Sequence, residues 1–587
     1  MRLPQCLLPT SRWLILRKAN FLFLKSGLTF ISLSLSVIQA LPTRKKYKKS
    51  FLKNTHCLRL WTSVCTVNKQ NPSCSATWIL RFFDTFYIIF GFLFVILDIC
   101  NKWFKIKTGV VIMEYNFCVK ASLKYEAEVI VVGGGLAGCA AAIAAARNGA
   151  DTMLVEETGM VGGLATLGYV GPLDATTKRN GESFGGLAEE IVESTRNLNK
   201  AYGGPNYYAL KVAPEMLRFV LLQKLKEAGV KILFHANLIG VEKSQDEISH
   251  IYLSTKSGIE VAVAKRFIDA TGDGDLIAFS GEEFVKGSEA GVFDELREGN
   301  LDKIHYQSGT LEKYDAYKSN GLMQPVSVMF SMGNVDCALA QKYCNRMLTY
   351  DDLGITKEEV MKLPYFGTVG FEENGDYIPI PQGRVLIVKF GIDGKFALVN
   401  MSRVVGIDGT DAVEKSKAEE IAQMQILYLC DFLIRFVPGF ENAYLYTSSH
   451  TLGVRETRRL VGKYVLKGRE VINCETFDDG VACGSYGIDI HDPQGKSKAI
   501  GGMLKGDYYH IPYGCLVPKT IKNLLVAGRC ISVDHVAHSS TRIQGTCILT
   551  GQAAGTAAAL SLKNNVFCDE LNVEMLKSSL RKDGVFL

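Results

Sequence analysis

Residues 127–157 read AEVIVVGGGLAGCAAAIAAARNGADTMLVEE, and this stretch decides the fold. The β-branched run Val129–Val132, followed by glycines, suits a buried parallel strand. Gly133, Gly135 and Gly138 then supply G-x-G-x-x-G. An alanine-rich helix is expected from Cys139 to Asn148, closed by Gly149, and a second strand, Thr152–Val155, ends at Glu156. In such a unit the first glycine makes the tight turn, the second admits a pyrophosphate to the backbone, and the third lets helix and strand pack closely. The helix N-terminus offers free N–H groups to phosphate. Glu156, 18 residues after Gly138, is placed to accept from ribose hydroxyls, with Glu157 as the neighbouring alternative. A glycine-rich turn alone says little. Here strand, turn, helix, strand and acid occur in order, which is the context the motif requires.

NAD and FAD share this fingerprint. Gly162-Gly163 forms a second flexible stretch just beyond the acid, suited to the close backbone approach of an extended cofactor or to an ordinary loop. A helical pattern follows from Ala213 to Ala228, then strand-like runs at Lys231–His235, Ile248–Thr255 and Glu260–Phe267. The last run leads into Ala270-Thr271-Gly272-Asp273-Gly274-Asp275, whose acids are either cofactor contacts or turn formers. Near the other end, Asn523–Ala527 reads as a buried strand ending at Gly528-Arg529. A helix of small residues follows, Ile548–Leu560, able to pack closely on the nucleotide sheet. Its positive N-terminus would stabilise an anionic reduced flavin.

Together VVGGGLAGCAAAIAAARNG…LVEE, GMVGGLAT, FIDATGDGDLIAFSG, LGVRETRRLVG, GIDIHDP, IPYGCLVP and NLLVAGRCISVDHVAHSSTRIQGTCILTGQAAGTAAAL resemble the FAD-dependent oxidoreductase family. That family belongs to the glutathione-reductase-like flavoproteins with two dinucleotide-binding domains, and is related to the flavoprotein subunit of heterodisulfide reductase. The resemblance runs from about Lys124 to about Asn564. It implies an α/β fold: a Rossmann-like FAD-binding domain with a parallel sheet, interrupted by an α+β substrate or cap domain. It also implies that Gly133, Gly135, Gly138, Glu156, Gly163, Asp273, Gly528, Arg529 and Gln552 lie at or near the cofactor, FAD. The chain lacks the cysteine runs of iron–sulfur clusters, the paired cysteines of disulfide reductases, and a second G-x-G-x-x-G unit. A built-in NAD(P)H domain is therefore not expected, and the electron donor or acceptor stays open. The histidine that binds flavin covalently in succinate-dehydrogenase-type proteins has no counterpart near Gly162–Thr166, so FAD is expected to bind non-covalently.

The expected organisation is a leader over 1–112, FAD-binding domain over 113–284 and 507–587, and substrate or cap domain over 285–506. The leader is compositionally foreign to the rest. It holds 17 Lys and Arg against two acids, a net of +15, and all four tryptophans, but only three of 56 glycines. The remainder holds 49 basic and 58 acidic residues, a net of −9, so the chain's overall +6 describes neither part and is no sign of nucleic acid. Three readings of the leader stay open: translated sequence upstream of a working start at Met113, a membrane or export segment built on the apolar runs 26–43 and 85–97, or an added basic domain. A membrane partner is expected only if this segment is genuine. The eleven cysteines after Met113 are dispersed, which points to reduced thiols, a cytoplasmic body and no metal centre.

Flavin chemistry asks the protein for orientation, a proton donor or acceptor, and a cation for an anionic partner. The candidates are His491 in Ile488-Asp489-Ile490-His491-Asp492-Pro493, Arg455 in Gly453-Val454-Arg455-Glu456-Thr457-Arg458-Arg459, Arg542, and His538, with His535 beside it. Each has a bland reading: ion-paired structure for the arginines, a hydrogen-bonded loop residue for the histidines, a small buried hydrophobe for Cys530. The leading expectation is hydride transfer between a small organic molecule and FAD. The alternatives are a membrane-associated dehydrogenase feeding quinone and a non-catalytic flavoprotein.

Overall fold

The chain divides between Phe117 and Cys118. The computed structural model describes residues 120–171, 173–202, 214–288, 321–368, 375–390, 395–493, 500–502 and 504–587. The leader and its three readings lie outside these residues. Among the described residues, no helix is long and apolar enough to cross a membrane.

The deciding stretch folds as β1 (Ser122–Val132), α1 (Leu136–Arg147) and β2 (Thr152–Val155). Val129 to Val132 are buried and pair in parallel with Thr152 to Val155. Helices α2 (Gly186–Ala201) and α3 (Pro214–Glu227) lead to β3 (Lys231–Leu233), parallel to β2. The chain then makes an antiparallel meander of β4 (Asn237–Ser244), β5 (Glu247–Thr255) and β6 (Gly258–Asp269). Strand β4 was not expected: its charges and Gly240 hide the alternation of a strand exposed on one face. The run from Lys231 stops at Leu233 because His235 turns into the left-handed region, φ 55°.

Next comes an antiparallel sheet in the order β10-β7-β9-β8, built from β7 (Phe330–Gly333), β8 (Ile387–Phe390), β9 (Phe396–Val399) and β10 (Tyr444–Ser448). The helix α4 (Ala412–Phe436) packs on it, capped by the Asp411 carboxylate, which accepts from Val413 and Glu414 N–H at 2.9 Å. This unit has its own core, from Val326 to Val454. Leu460 to Leu504 pack instead in the nucleotide-binding core. By core membership this second unit ends near Val454, short of the expected 506; nothing in the local sequence says which core the residues beyond it join, and packing alone reveals it.

The chain returns as β11 (Leu524–Val526), parallel to the end of β6, where Leu524 lies opposite Phe267. The order β3-β2-β1-β6-β5-β4, with β11 also on β6, is thus a parallel sheet fused to a meander through one long strand. Helices α5 (His535–Thr541), α6 (Gln544–Lys563) and α7 (Val573–Lys582) close the fold. α6 starts one turn before the expected Ile548 and crosses α1 at backbone contact. A Cβ on Gly551 would stand 2.1 Å from the Ala137 carbonyl oxygen, and one on Gly555 2.0 Å from that of Ala141.

Replacing Gly555 with Ala should lower unfolding stability in urea by about 1–3 kcal/mol, because neither helix can retreat without loosening the core. Gly367→Ala, where a Cβ meets nothing within 4 Å, should stay within about 0.5 kcal/mol of the parent.

Candidate functional site

A cavity of about 650 Å³ opens where β1, β2, β6 and β11 end and runs on to the unit built on β7–β10. Gly133 leaves β1 with φ 100°, and a Cβ there would strike the Ala270 carbonyl oxygen at 2.5 Å. Gly138 lies against Gly133 itself, its Cβ position 1.8 Å from the carbonyl oxygen, so it serves packing and stands off the cavity wall. Gly135 differs from both. It starts α1 without a side-chain cap, and a Cβ there meets nothing within 4 Å. The cradle beside Gly135 and the unpaired first-turn N–H groups of α1 face the cavity. Gly162 and Gly163 join the same wall, tied to the turn by the Gly162 N–H donating to the Gly134 carbonyl at 2.8 Å.

Glu156 is buried on the wall, and its carboxylate fixes the turn. Oε2 accepts the Gly134 N–H at 2.6 Å, and Oε1 accepts from Thr158 N–H at 2.8 Å and Thr158 Oγ1 at 2.6 Å. One lone pair on Oε2 is left for a ribose hydroxyl, and exposed Glu157 stands beside it on the wall. Asp273 takes Arg529 Nη2 at 2.6 Å and Thr457 Oγ1 at 2.9 Å. Arg529 also donates to the Val454 carbonyl, so Gly528-Arg529 at the end of β11 ties the parallel sheet to the end of the second core. Sequence reasoning passed over Asp269. Fully buried, it pins the turn after β6 through Thr271 and Ile277, and burial raises its pKa to about 6.

The far end of the cavity holds Arg455, Arg542, Asp489 and His491. A two-way bridge between Gly453 and Ser327 anchors the Arg455 segment, and Arg455 Nη1 donates to the Pro325 carbonyl at 2.6 Å. Burial, and secondarily Arg542, lower the Arg455 pKa to about 9, so it is charged at neutral pH. Arg542, between α5 and α6, reaches Asp489 Oδ2 at 3.4 Å. Burial opposes ionisation of Asp489, yet His491, Arg542 and Arg455 hold its carboxyl well below the usual range. His491 Nδ1 lies 3.2 Å from Gln382 Nε2, while Nε2 is 3.7 Å from Asp489, too far for a direct hydrogen bond. Burial and Arg455 lower the His491 pKa to about 4, which keeps the imidazole neutral. Asn400, Tyr486 and Gln544 share this wall and were missed, since amide and phenol side chains carry no spacing signal.

Three residues expected at the site lie elsewhere. His538 and His535 are on α5 rather than on a loop, fully buried and off the cavity wall. His535 Nδ1 contacts buried Glu456 at 2.7 Å, and burial drives the pKa of His538 well below its usual value. The apolar packing of α5 turns both rings inward. Gln552, on α6, accepts the Leu187 N–H at 2.8 Å and so caps α2 instead of reaching the cavity. Cys530 is buried and its thiol pKa is pushed well up by burial, in keeping with a small hydrophobe. Among the described residues no cluster of metal-ligating side chains occurs.

Residues 128–580 match the family described as FAD dependent oxidoreductase. The chain belongs to that family. It is an FAD-dependent oxidoreductase, and its cofactor is FAD. No curated protein sequence matches it significantly. Solved structures to which the chain shows a distant similarity include a p-nitrophenol 4-monooxygenase, PnpA, from Pseudomonas putida DLL-E4, with 12% identity, 78% of this chain and 84% of that one covered, and a TM-score of 0.36. The flavin-dependent brominase Bmp2 has 9% identity, 78% and 83% coverage, and a TM-score of 0.37. A geranylgeranyl bacteriochlorophyll reductase-like protein from Thermoplasma acidophilum has 12% identity, 78% and 84% coverage, and a TM-score of 0.33. The cavity fits the cofactor on its own terms: an open cradle at Gly135, free N–H groups at a helix start, and an acid at the end of β2.

The two inner glycines should therefore separate experimentally. Gly135→Ala should fold with near-parental stability but retain FAD at least tenfold more weakly in equilibrium dialysis. Gly138→Ala should lose stability first, seen as a lower thermal midpoint even with excess FAD.

Proposed function

We propose that this family member transfers a hydride between a small organic molecule and non-covalently bound FAD. One observation carries the reading: the cavity that begins at the glycine turn continues without interruption to His491, Arg455 and Arg542. Gly133, Gly135, Glu156, Gly162 and Gly163 would hold the nucleotide, and Asp273, Gly528 and Arg529 would flank it. When bound, FAD supplies the two-electron acceptor or donor. The chain's own residues supply the rest. Arg455 and Arg542 orient an anionic group, and neutral His491 takes or returns the proton that accompanies the hydride. The first turn of α6, through Ile543, Gln544 and Cys547, brings a positive helix terminus to the wall. Burial raises the Cys547 thiol to about 12, which disfavours thiolate attachment to the cofactor and supports the non-covalent reading.

The glutathione-reductase-like grouping belongs to this same reading, as does an electron partner that is a separate molecule. Eight of the ten described cysteines are buried, which supports a cytoplasmic location with structural, unreactive thiols.

An anaerobic screen of small reductants and oxidants against the full-chain holoprotein tests the reading directly. At least one should bleach or restore the flavin absorbance; silence from all of them sinks hydride transfer. With the molecule so found, His491→Asn should lower turnover about 10²–10⁴-fold without loss of FAD. Activity of the parent should hold from pH 8 to about 5 and fall towards pH 4 as His491 gains a proton. The same shift predicts a stability effect. Unfolded histidine binds its proton near ~6.5, so between 6.5 and 4 the unfolded chain holds more protons and stability declines as pH falls. Urea unfolding at pH 7 and 5 should show the parent losing up to about 2 kcal/mol more than His491→Asn.

A further inference from the structure

Four arginines line the cavity, and three are matched to acids. Arg458 meets Asp275 at 2.8 Å, Arg529 meets Asp273 at 2.6 Å, and Arg542 meets Asp489 at 3.4 Å. Arg455 is the exception. Its one hydrogen bond goes to a neutral carbonyl, that of Pro325, and no carboxylate of the described residues lies within ion-pairing distance. Of its five N–H donors, four are left. A desolvated guanidinium held without a counter-charge is costly to a fold, and a planar fork of donors matches a carboxylate in two parallel bonds.

The surroundings add cation rather than anion. Burial lowers the pKa of nearby Arg403 too; its Nη2 donates to the Asp492 carbonyl at 2.8 Å and its buried Nε has no partner. Arg542 likewise keeps a buried, unpartnered Nε. Of the acids on this part of the wall, Asp489 is committed to Arg542 and faces His491, and Asp174 stands beside the first turn of α6, where its carbonyl takes the Gly545 N–H. Asp492 is buried behind the wall. Neither Asp174 nor Asp492 forms an ion pair with Arg455.

We propose that Arg455 is the seat of a carboxylate group, and that the molecule oxidised or reduced here is a small organic carboxylate. The proposal rests on the hydride-transfer reading. Arg455 takes the carboxylate in a two-point contact, Arg542 adds a second positive charge, and neutral His491 is left facing the carbon that gives or receives the hydride. The hydride's two electrons pass between that carbon and FAD, and the accompanying proton passes between the substrate heteroatom and His491.

The test titrates the oxidised full-chain holoprotein with oxalate and with malonate, following the flavin bands in the visible spectrum, with malonamide as the uncharged control. Both dianions should perturb the bands saturably and malonamide should not. Arg455→Met should raise the apparent Kd at least tenfold at unchanged FAD content, and Arg455→Lys, which keeps the charge but not the fork, should fall between. Lys also guards against a Met variant that fails to fold. Equal perturbation by malonamide, or an unchanged Kd in both variants, overturns the carboxylate seat. So does a variant whose flavin reduction potential moves while its carboxylate affinity does not, since Arg455 would then serve the reduced cofactor. If no carboxylate binds yet other donors still bleach the flavin, the seat is wrong and hydride transfer stands; if nothing changes the flavin's redox state, hydride transfer itself fails.

Discussion

The contact between α1 and α6 governs the geometry of the site. Gly551 and Gly555 let the two helices meet at the Ala137 and Ala141 carbonyls, closer than any side chain allows. Gly528, at the exit of β11, comes as close: a Cβ there would lie 2.7 Å from that of Ala137. Interiors packed this tightly do not deform by degrees. The consequence is that the first turns of two helices, from opposite ends of the body, converge on one cavity. Leu136 and Ala137 line it from one helix, and Ile543, Gln544 and Cys547 from the other. One terminus suits the phosphates, the other an anionic ring, and their separation is set by glycines that touch neither.

A second constraint joins the unit built on β7–β10 to this frame. Residues 453–459 are stitched at both ends. Gly453 pairs with Ser327 and Arg455 with Pro325 on one side, while Thr457 binds Asp273 and Arg458 binds Asp275 on the other. Between them Glu456 is wholly buried, held ionised by His535 and Arg459 against its desolvation, and it accepts the Gln324 N–H at 3.2 Å. Gln324 in turn takes the His491 N–H at 3.1 Å. Buried ion pairs of this kind add little net stability, because desolvation consumes most of the attraction. Their effect is positional: they hold Arg455 and His491, distant in sequence, on the same wall.

The sequence makes the nucleotide half plain because its requirements are local. A strand, three glycines, an alanine helix and a terminal acid specify their own geometry; β2 lies where that stretch expects it, while β1 begins at Ser122 before the expected Val129 and α1 at Leu136 before the expected Cys139. The elements that escaped notice depend on distant partners. β4 is a strand only because β5 pairs with it, and α6 begins early because Gly545 N–H finds the Asp174 carbonyl. The far wall divides in the same way. His491, Arg455 and Arg542 stand out as residue types, but nothing local says which histidine turns inward. His538 looks equivalent in sequence and is buried by the packing of α5, while Gln552 is drawn off to cap α2. Asp269 and Glu456 resemble ordinary acids until the fold buries them.

The charge of the body invites an objection to an anionic partner. Residues 113–587 carry a net of −9, which at long range repels anions. Screening limits that repulsion to about 8 Å at physiological salt, whereas inside a cavity of low dielectric a single uncompensated guanidinium dominates its neighbours. Three acids of the wall are matched, Asp273 by Arg529, Asp275 by Arg458 and Asp489 by Arg542, while Glu156 and Glu157 stand at the end of β2, away from the far end. What a molecule entering the far end encounters is therefore the local excess at Arg455, with Arg403 and Arg542 behind and beside it. Global charge sets how often an anion arrives. The unmatched arginine sets whether it stays, and a locally positive far end within a negative body favours small anions over large ones, which cannot leave the outer field behind.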